Sequence, residues 1–124
     1  MITDKAEILG ELKAILSKHS KNLKVTKDTK KVYELYGTKK VVVGKKEVEG
    51  IYFASAVIQG GFTGFYFFPV YTHPHEFSDI PAELKKCLKG KSCFHIKKLD
   101  AELLKQIKEL VKKGASIYKK AGWI

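Results

Sequence analysis

Arginine is absent from this sequence: all 24 basic residues are lysines, and 13 acidic residues oppose them. A protein without arginine has no planar guanidinium group to hold phosphate or carboxylate through two parallel hydrogen bonds. The formal net charge of +11 at pH 7 still attracts polyanions. We therefore expect a weak, sequence-independent attraction to nucleic acid that declines steeply as salt is added.

Cysteines are few, and an export signal is missing. Cys87 and Cys93 are too few for the disulfide framework of a small secreted protein. Charged residues already occur within the first seven positions, where a signal peptide needs an apolar run. We therefore expect a cytoplasmic protein. Residues 51–75 lack Lys, Asp and Glu, but Gly60-Gly61 divides them, which indicates a β-hairpin rather than a membrane span.

The sequence also lacks the residue patterns on which common catalytic sites depend. It has no phosphate-binding loop, no Gly-x-Ser-x-Gly elbow and no arrangement of paired carboxylates. Cys93 and His95 would lie side by side on one strand, but no carboxylate is placed to orient the histidine. These absences favour a non-enzymatic protein, with no catalytic residues to name.

Periodic hydrophobicity predicts one α+β domain over residues 1–124, with a single antiparallel sheet, helices packed on it and the order α-β-β-β-β-α-β-α. An amphipathic helix spans Asp4 to Lys18, with Thr3 or Asp4 as its N-cap, and a second begins after an N-cap at Asp100. The lysine-rich residues 19–31 predict a solvated connector. Strands are expected at 32–36, 41–43, 51–59, 62–70 and 92–97, with a short helix at 81–88.

The two strands around Gly60-Gly61 have a predictable register. A two-residue turn, with glycines that tolerate positive φ, places Ala56 opposite Phe65 and Ala54 opposite Phe67. The small alanines would let helices approach, so we expect this face to contact the helices. Both faces of the hairpin are apolar, and an antiparallel sheet normally leaves one face in water, so the second face also needs a cover.

The second face is the candidate binding surface. Strict alternation places on it three rings with a polar handle, which suits a ligand pocket or a homodimer contact. These residues are Phe53, Ser55, Tyr66 and Phe68.

The aromatic cluster also admits a nucleic-acid hypothesis. Residues 61–68 approximate the strand motif with which RNA-recognition domains stack bases, and the chain is strongly basic. Alternation, however, places Phe62 and Phe65 on opposite faces, whereas that motif needs its stacking rings on one face. Core packing explains most of these rings better.

A single short stretch gathers metal-ligand residue types. Four imidazole and carboxylate groups follow a strand end, although the first two flank a proline and point apart in an extended segment. The alternative is a polar turn before the next helix. These residues are His73, His75, Glu76 and Asp79.

Four segments of the sequence resemble the YdhG-like domains of unknown function. They are Tyr33–Gly37, Ile51–Ser55, Gly64–Tyr71 and Leu88–Asp100, and the ending Gly114–Ile124 is similar to one bacterial branch. The resemblance covers roughly residues 30–124. It implies a small bacterial cytoplasmic domain with a curved antiparallel sheet and helices packed on it. Some relatives are described as frataxin-like iron chaperones, so the resemblance makes iron a possible cargo, with no other cofactor expected.

Together these observations predict a small cytoplasmic binding protein without enzymatic activity. Its aromatic sheet surface would bind a protein, a small molecule or a second copy of the chain. The alternatives are a frataxin-like iron carrier for iron–sulfur assembly and nonspecific nucleic-acid binding.

Overall fold

The computed structural model describes all 124 residues, from Met1 to Ile124. Its helices are α1 (Lys5–Ser17), α2 (Pro69–Thr72), α3 (Ala82–Lys85) and α4 (Ala101–Lys120). Its strands are β1 (Leu23–Asp28), β2 (Val32–Gly37), β3 (Val41–Val43), β4 (Lys46–Val48), β5 (Tyr52–Ile58), β6 (Thr63–Phe67), β7 (Leu88–Lys89) and β8 (Cys93–Ile96). None of the helices combines the length and apolar composition that crossing a bilayer requires.

Six strands form one antiparallel sheet in the order β1-β2-β5-β6-β8-β7, while β3 and β4 form a separate hairpin. The two long helices pack on one face of this sheet. The predicted α+β class, an antiparallel sheet with helices packed on it, is therefore confirmed.

Carboxylates cap both long helices, as the sequence predicts. Asp4 accepts a hydrogen bond from the backbone N–H of Glu7 at 3.0 Å, at the start of α1. Asp100 accepts one from the N–H of Leu103 at 2.8 Å, at the start of α4. Each bond satisfies a donor that the first helical turn leaves free, so these caps define where the helices begin.

The predicted pairing of the central hairpin is also confirmed. Ala56 lies opposite Phe65 and Ala54 opposite Phe67, and all four side chains are completely buried. They form the centre of the core between the sheet and the helices. The connecting residues Gly60-Gly61 have no positive φ, so this turn does not use the conformational freedom that the glycine pair offers.

Strand β6 ends earlier than predicted. The chain leaves the sheet after Phe67, and Pro69 begins the single turn of α2, because proline has no N–H for a sheet but is favoured in the first turn of a helix. Val70 is consequently buried in a helical turn and does not extend the strand.

The predicted connector at 19–31 contains a strand. Residues 23–28 form β1 at the edge of the sheet, where only Leu23 is buried and the lysines remain in water. Its unbonded side and charged residues are typical of an edge strand. The short strands β4 and β7 were not expected from the sequence either.

One bulge moves Phe53 to the opposite face from the one that alternation predicts. Leu35 pairs with Ala54, but the next residue, Tyr36, pairs with Tyr52, so Phe53 is an extra residue in β5. Its ring is completely buried and packs edge-on against Phe67, with centroids 5.3 Å apart. Phe53 is therefore a core residue, and Tyr52 takes its place on the other face.

Candidate functional site

The sheet face opposite the long helices carries aromatic side chains that are only half-buried. We call it the aromatic face, and it contains Tyr36, Tyr52, Ser55, Phe62, Tyr66, Phe68 and His95. The β3–β4 hairpin adjoins it at one end, where Val43 and Val48 line a depression with Tyr36, Tyr52 and Phe68. Each of these rings keeps part of its surface exposed, and that part can contact a partner.

Directly opposed residues form a first row across all six strands. Because opposed residues of an antiparallel pair share a face, the whole row lies on the aromatic face. Its centre is the pair Ser55 and Tyr66, and each end is a lysine. The row reads Lys27, Glu34, Ser55, Tyr66, Cys93, Lys89.

A second row runs beside the first and consists mainly of aromatic rings in contact, tilted in the first two pairs and stacked in the last. Tyr36 and Tyr52 have ring centroids 5.2 Å apart, Tyr52 and Phe68 5.5 Å, and Phe68 and Tyr71 5.3 Å. Lysines again mark its ends. Lys24 pairs with Tyr36, and the ammonium group of Lys91 lies 5.5 Å from the centre of the Tyr71 ring.

A third group of rings lies over Gly64, which has no side chain to separate them. The Phe62 ring stacks on the imidazole of His95 with centroids 3.8 Å apart and planes 13° from parallel. A Cβ atom at Gly64 would lie 3.0 Å from the Tyr66 ring and 3.5 Å from the Phe62 ring. The flat groups of Phe62, Tyr66 and His95 thus meet around Gly64.

The hydroxyl and amide groups at the centre of this face are neutral. Tyr52 and Ser55 share a hydrogen bond between their hydroxyls, and Gln59 donates to the Tyr66 hydroxyl at 3.1 Å. Burial raises the pKa of Tyr52 far above its ordinary value, and burial also raises the pKa of Tyr66 and of Tyr36. All three tyrosines therefore keep their protons at neutral pH and can donate hydrogen bonds.

Burial raises the pKa of both cysteine thiols as well. Cys93 contacts the Tyr66 hydroxyl on the aromatic face, and Cys87 lies near the carbonyl of Glu83. A raised pKa favours the thiol over the nucleophilic thiolate. The side chains around Cys93 and His95 therefore resemble a binding surface more than an activated nucleophile.

A cavity of about 460 Å³ adjoins the second row. Tyr71 and Lys91 belong to both, and Val70, Phe77 and Leu88 supply apolar walls. Its size falls in the range of small-molecule sites. A ligand on the aromatic face could extend into this cavity past Tyr71.

The four predicted metal ligands do not converge. Nδ1 of His73 lies 2.9 Å from the Thr72 hydroxyl, and a carboxylate oxygen of Asp79 lies 3.3 Å from the ammonium group of Lys113. His75 and Glu76 are exposed on a turn of 3₁₀ helix. No group of three or more His, Cys, Asp or Glu side chains in the structure could hold a metal ion.

Of the four surface residues predicted from the sequence, Ser55, Tyr66 and Phe68 lie together on the aromatic face, whereas Phe53 lies in the core. Sequence reasoning missed Tyr36 and Tyr52 as part of the site. Tyr36 alternates with the buried Leu35 and could have been assigned to this face. Tyr52 could not, because its orientation depends on the bulge.

Comparisons with protein-family models, with curated proteins and with solved structures find no match to this chain, so its resemblance to the YdhG-like domains stays a prediction.

Proposed function

We propose that the protein is a non-enzymatic binding protein and that the aromatic face is its binding surface. The observation that carries the proposal is the half-buried state of the rings of Tyr36, Tyr52, Tyr66 and Phe68 on the sheet face opposite the two long helices. A folded chain gains stability by burying such rings, so leaving several of them together in water is typical of an interaction site.

The chemistry of the face supports this proposal. Flat rings offer a large apolar area at a small loss of conformational entropy, and tyrosine hydroxyls add hydrogen bonds that fix orientation. The face provides both, since Tyr52 and Tyr66 present neutral hydroxyls beside apolar neighbours. The same face lacks an activated acid, base or nucleophile, which favours binding over catalysis.

A fragment screen followed by NMR tests the proposal without assuming the natural partner. We expect flat heteroaromatic fragments to shift the backbone amide signals of Ser55, Tyr66 and Cys93. We also expect Tyr66→Leu to weaken those shifts, because leucine keeps apolar area but lacks a flat surface. Shifts confined to the 460 Å³ cavity beside Tyr71, or to the exposed side of α4, would contradict the proposal.

A further inference from the structure

Resting on the proposed function, we infer that the aromatic face binds single-stranded nucleic acid without sequence preference. The inference comes from the juxtaposition of two rows that lie side by side, each with rings or hydroxyls at its centre and a lysine at both ends. The first row crosses all six strands, and the second runs from β1 to Tyr71 in α2, beside Lys91. Proteins that bind single strands combine the same two elements: flat side chains on which bases stack, and a flanking positive charge that holds the backbone.

The rings are arranged for stacking rather than for core packing alone. Tyr66 stands at the centre of the sheet, and the stacked pair of Phe62 and His95 lies next to it. Phe68 and Tyr71 stack at the end of the second row, with Tyr71 almost half exposed. Every base has a flat face, so these positions accept any base and do not distinguish one from another.

Phe65 does not share a face with Phe62, which distinguishes this segment from the strand motif of RNA-recognition domains. Phe65 lies in the core, as alternation predicts, and it takes no part in the surface. Phe62, Tyr66 and Phe68 of the same segment share the aromatic face. The segment therefore presents three rings on one side without Phe65.

The charges lie where a phosphate backbone would cross the edges of the sheet. Lys24 and Lys27 are on the edge strand β1, and Lys89 and Lys91 are at the opposite edge. Six strands at a spacing of about 4.8 Å place the two edges about 24 Å apart. A strand of several nucleotides can span that distance, with its bases on the rings and its ends beside the lysines.

One acidic group lies within these rows. A carboxylate oxygen of Glu34 accepts a hydrogen bond from the Thr26 hydroxyl at 2.8 Å, and Lys27 is the residue opposite it on β1. Its charge is therefore next to a lysine at the edge and away from the rings at the centre. The four edge lysines outnumber it, which leaves the two rows net positive.

The absence of arginine also indicates which features of a nucleic acid this face would recognise. Lysine neutralises phosphate as a point charge, whereas the bidentate contact with guanine that gives sequence specificity usually comes from arginine. The rings can stack only on unpaired bases, since the bases of a duplex are stacked on each other. The expected ligand is thus single-stranded DNA or RNA of any sequence.

The test compares two charge-matched variants of the full chain. One carries Lys24→Gln, Lys27→Gln, Lys89→Gln and Lys91→Gln; its control carries Lys105→Gln, Lys108→Gln, Lys112→Gln and Lys119→Gln on the exposed side of α4. Both lose four positive charges. Binding of a twelve-nucleotide oligothymidylate and of an oligouridylate of the same length is measured by fluorescence anisotropy. Comparing the two probes separates DNA binding from RNA binding, and each is measured over a series of salt concentrations.

We expect the edge variant to bind either oligonucleotide at least about tenfold more weakly than the control at low salt. Its slope of log affinity against log salt should be smaller by about 2.8, at about 0.7 per phosphate contact for single strands. Equal losses in the two variants would overturn the inference, because they would show that only net charge matters. Tighter binding of the matching duplex than of either single strand would also overturn it.

Stacking is tested separately at Tyr66. We expect Tyr66→Ala to weaken binding by about 5- to 150-fold, which corresponds to the usual contribution of one stacked base. Tyr66→Phe keeps the ring and should retain the affinity. An unchanged affinity of Tyr66→Ala would overturn the inference.

Two results would contradict nucleic-acid binding without contradicting a binding role for the aromatic face. If neither oligonucleotide binds the wild-type chain at low salt while fragments still shift Ser55 and Tyr66, the aromatic face binds something other than nucleic acid. If sedimentation shows a dimer at micromolar concentration and Tyr66→Ala makes it monomeric, the occupant is a second copy of the chain. Either result would overturn the inference and leave the proposed function standing.

Discussion

The ring of Phe67 on β6 occupies the space that a side chain at Gly114 on α4 would need. A Cβ atom at position 114 would overlap the Phe67 ring and lie 3.0 Å from Cγ of Pro69. Phe67 is completely buried, so its ring is enclosed on its other sides as well. Gly114 therefore sets how closely α4 approaches the sheet.

We expect Gly114→Ala to lower the free energy of unfolding by about 1–3 kcal/mol, because it overpacks this contact. Alanine favours a helix over glycine by about 0.5–1 kcal/mol, which offsets part of the loss. Gly10 in α1 is the matched control, since a Cβ atom there has no neighbour within 4 Å. Gly10→Ala should stabilise by about 0.5–1 kcal/mol. Urea denaturation measures the free energy of unfolding of both variants. If both are more stable than the wild type, α4 does not approach the sheet this closely.

Ala56 tests the same interface from the side of the sheet. It is completely buried opposite Phe65, so Ala56→Leu should destabilise the protein by about 1–3 kcal/mol through overpacking. Its neighbour Val57 points to the other face and is half-buried, so Val57→Leu should change stability by less than about 0.5 kcal/mol. Thermal melting compares the two, and a wild-type melting temperature for Ala56→Leu would contradict the assigned facing.

The central hairpin could be predicted because its register needs only local information. Gly60-Gly61 leaves two residues in the turn, and the alternation of β-strand side chains then determines which residues oppose each other and face the helices. The same holds for the caps at Asp4 and Asp100, which depend on residues three positions apart.

The position of Phe53 could not be predicted from local alternation. The bulge depends on how β5 pairs with β2, sixteen or more residues away in sequence, and the shift lies between Leu35 and Tyr36. One extra residue reverses the side of the sheet to which the preceding side chain of β5, Tyr52, points. The aromatic face therefore contains Tyr52 where alternation predicts Phe53.

That reversal gives a direct prediction of stability. Phe53→Ala should cost about 3–5 kcal/mol, as is usual for a buried phenylalanine. Tyr66→Ala removes a half-buried ring and should cost only about 1 kcal/mol. Equilibrium denaturation of both variants checks this difference. Similar costs would show that Phe53 lies on the surface or that Tyr66 belongs to the core.

The two rows of the aromatic face are a property of the whole sheet. Lys27 and Lys89 are 62 positions apart in the sequence and occupy opposite ends of one row only because five strand pairings connect them. The sequence shows the lysines of β1 only as a polar run, since nothing local distinguishes a lysine-rich edge strand from a solvated loop. Composition alone therefore predicts attraction to nucleic acid but not a surface for it.

Stability should also depend on pH through His19. Burial lowers the pKa of His19, and the charges of Lys112 and Lys18 lower it further. The unfolded chain then binds this proton more tightly than the folded chain, so stability is present above the ordinary histidine pKa of about 6.5 and declines as the pH falls through it. We expect His19→Gln to reduce the difference in unfolding free energy between about pH 7.5 and pH 5.5. An unchanged difference would show that other groups cause the loss.

The predicted resemblance to the YdhG-like domains makes iron a possible cargo, and the final prediction concerns iron binding. We expect no ferrous iron to bind more tightly than about 10 μM, or about −7 kcal/mol. His73 faces Thr72, Asp79 lies beside Lys113, and the net charge of +11 repels cations. Imidazole ligands would in any case favour nickel, copper or zinc over ferrous iron. Anaerobic calorimetric titration is the measurement. A stoichiometric, sub-micromolar isotherm that His73→Ala with His75→Ala abolishes would contradict the prediction and support a metal carrier.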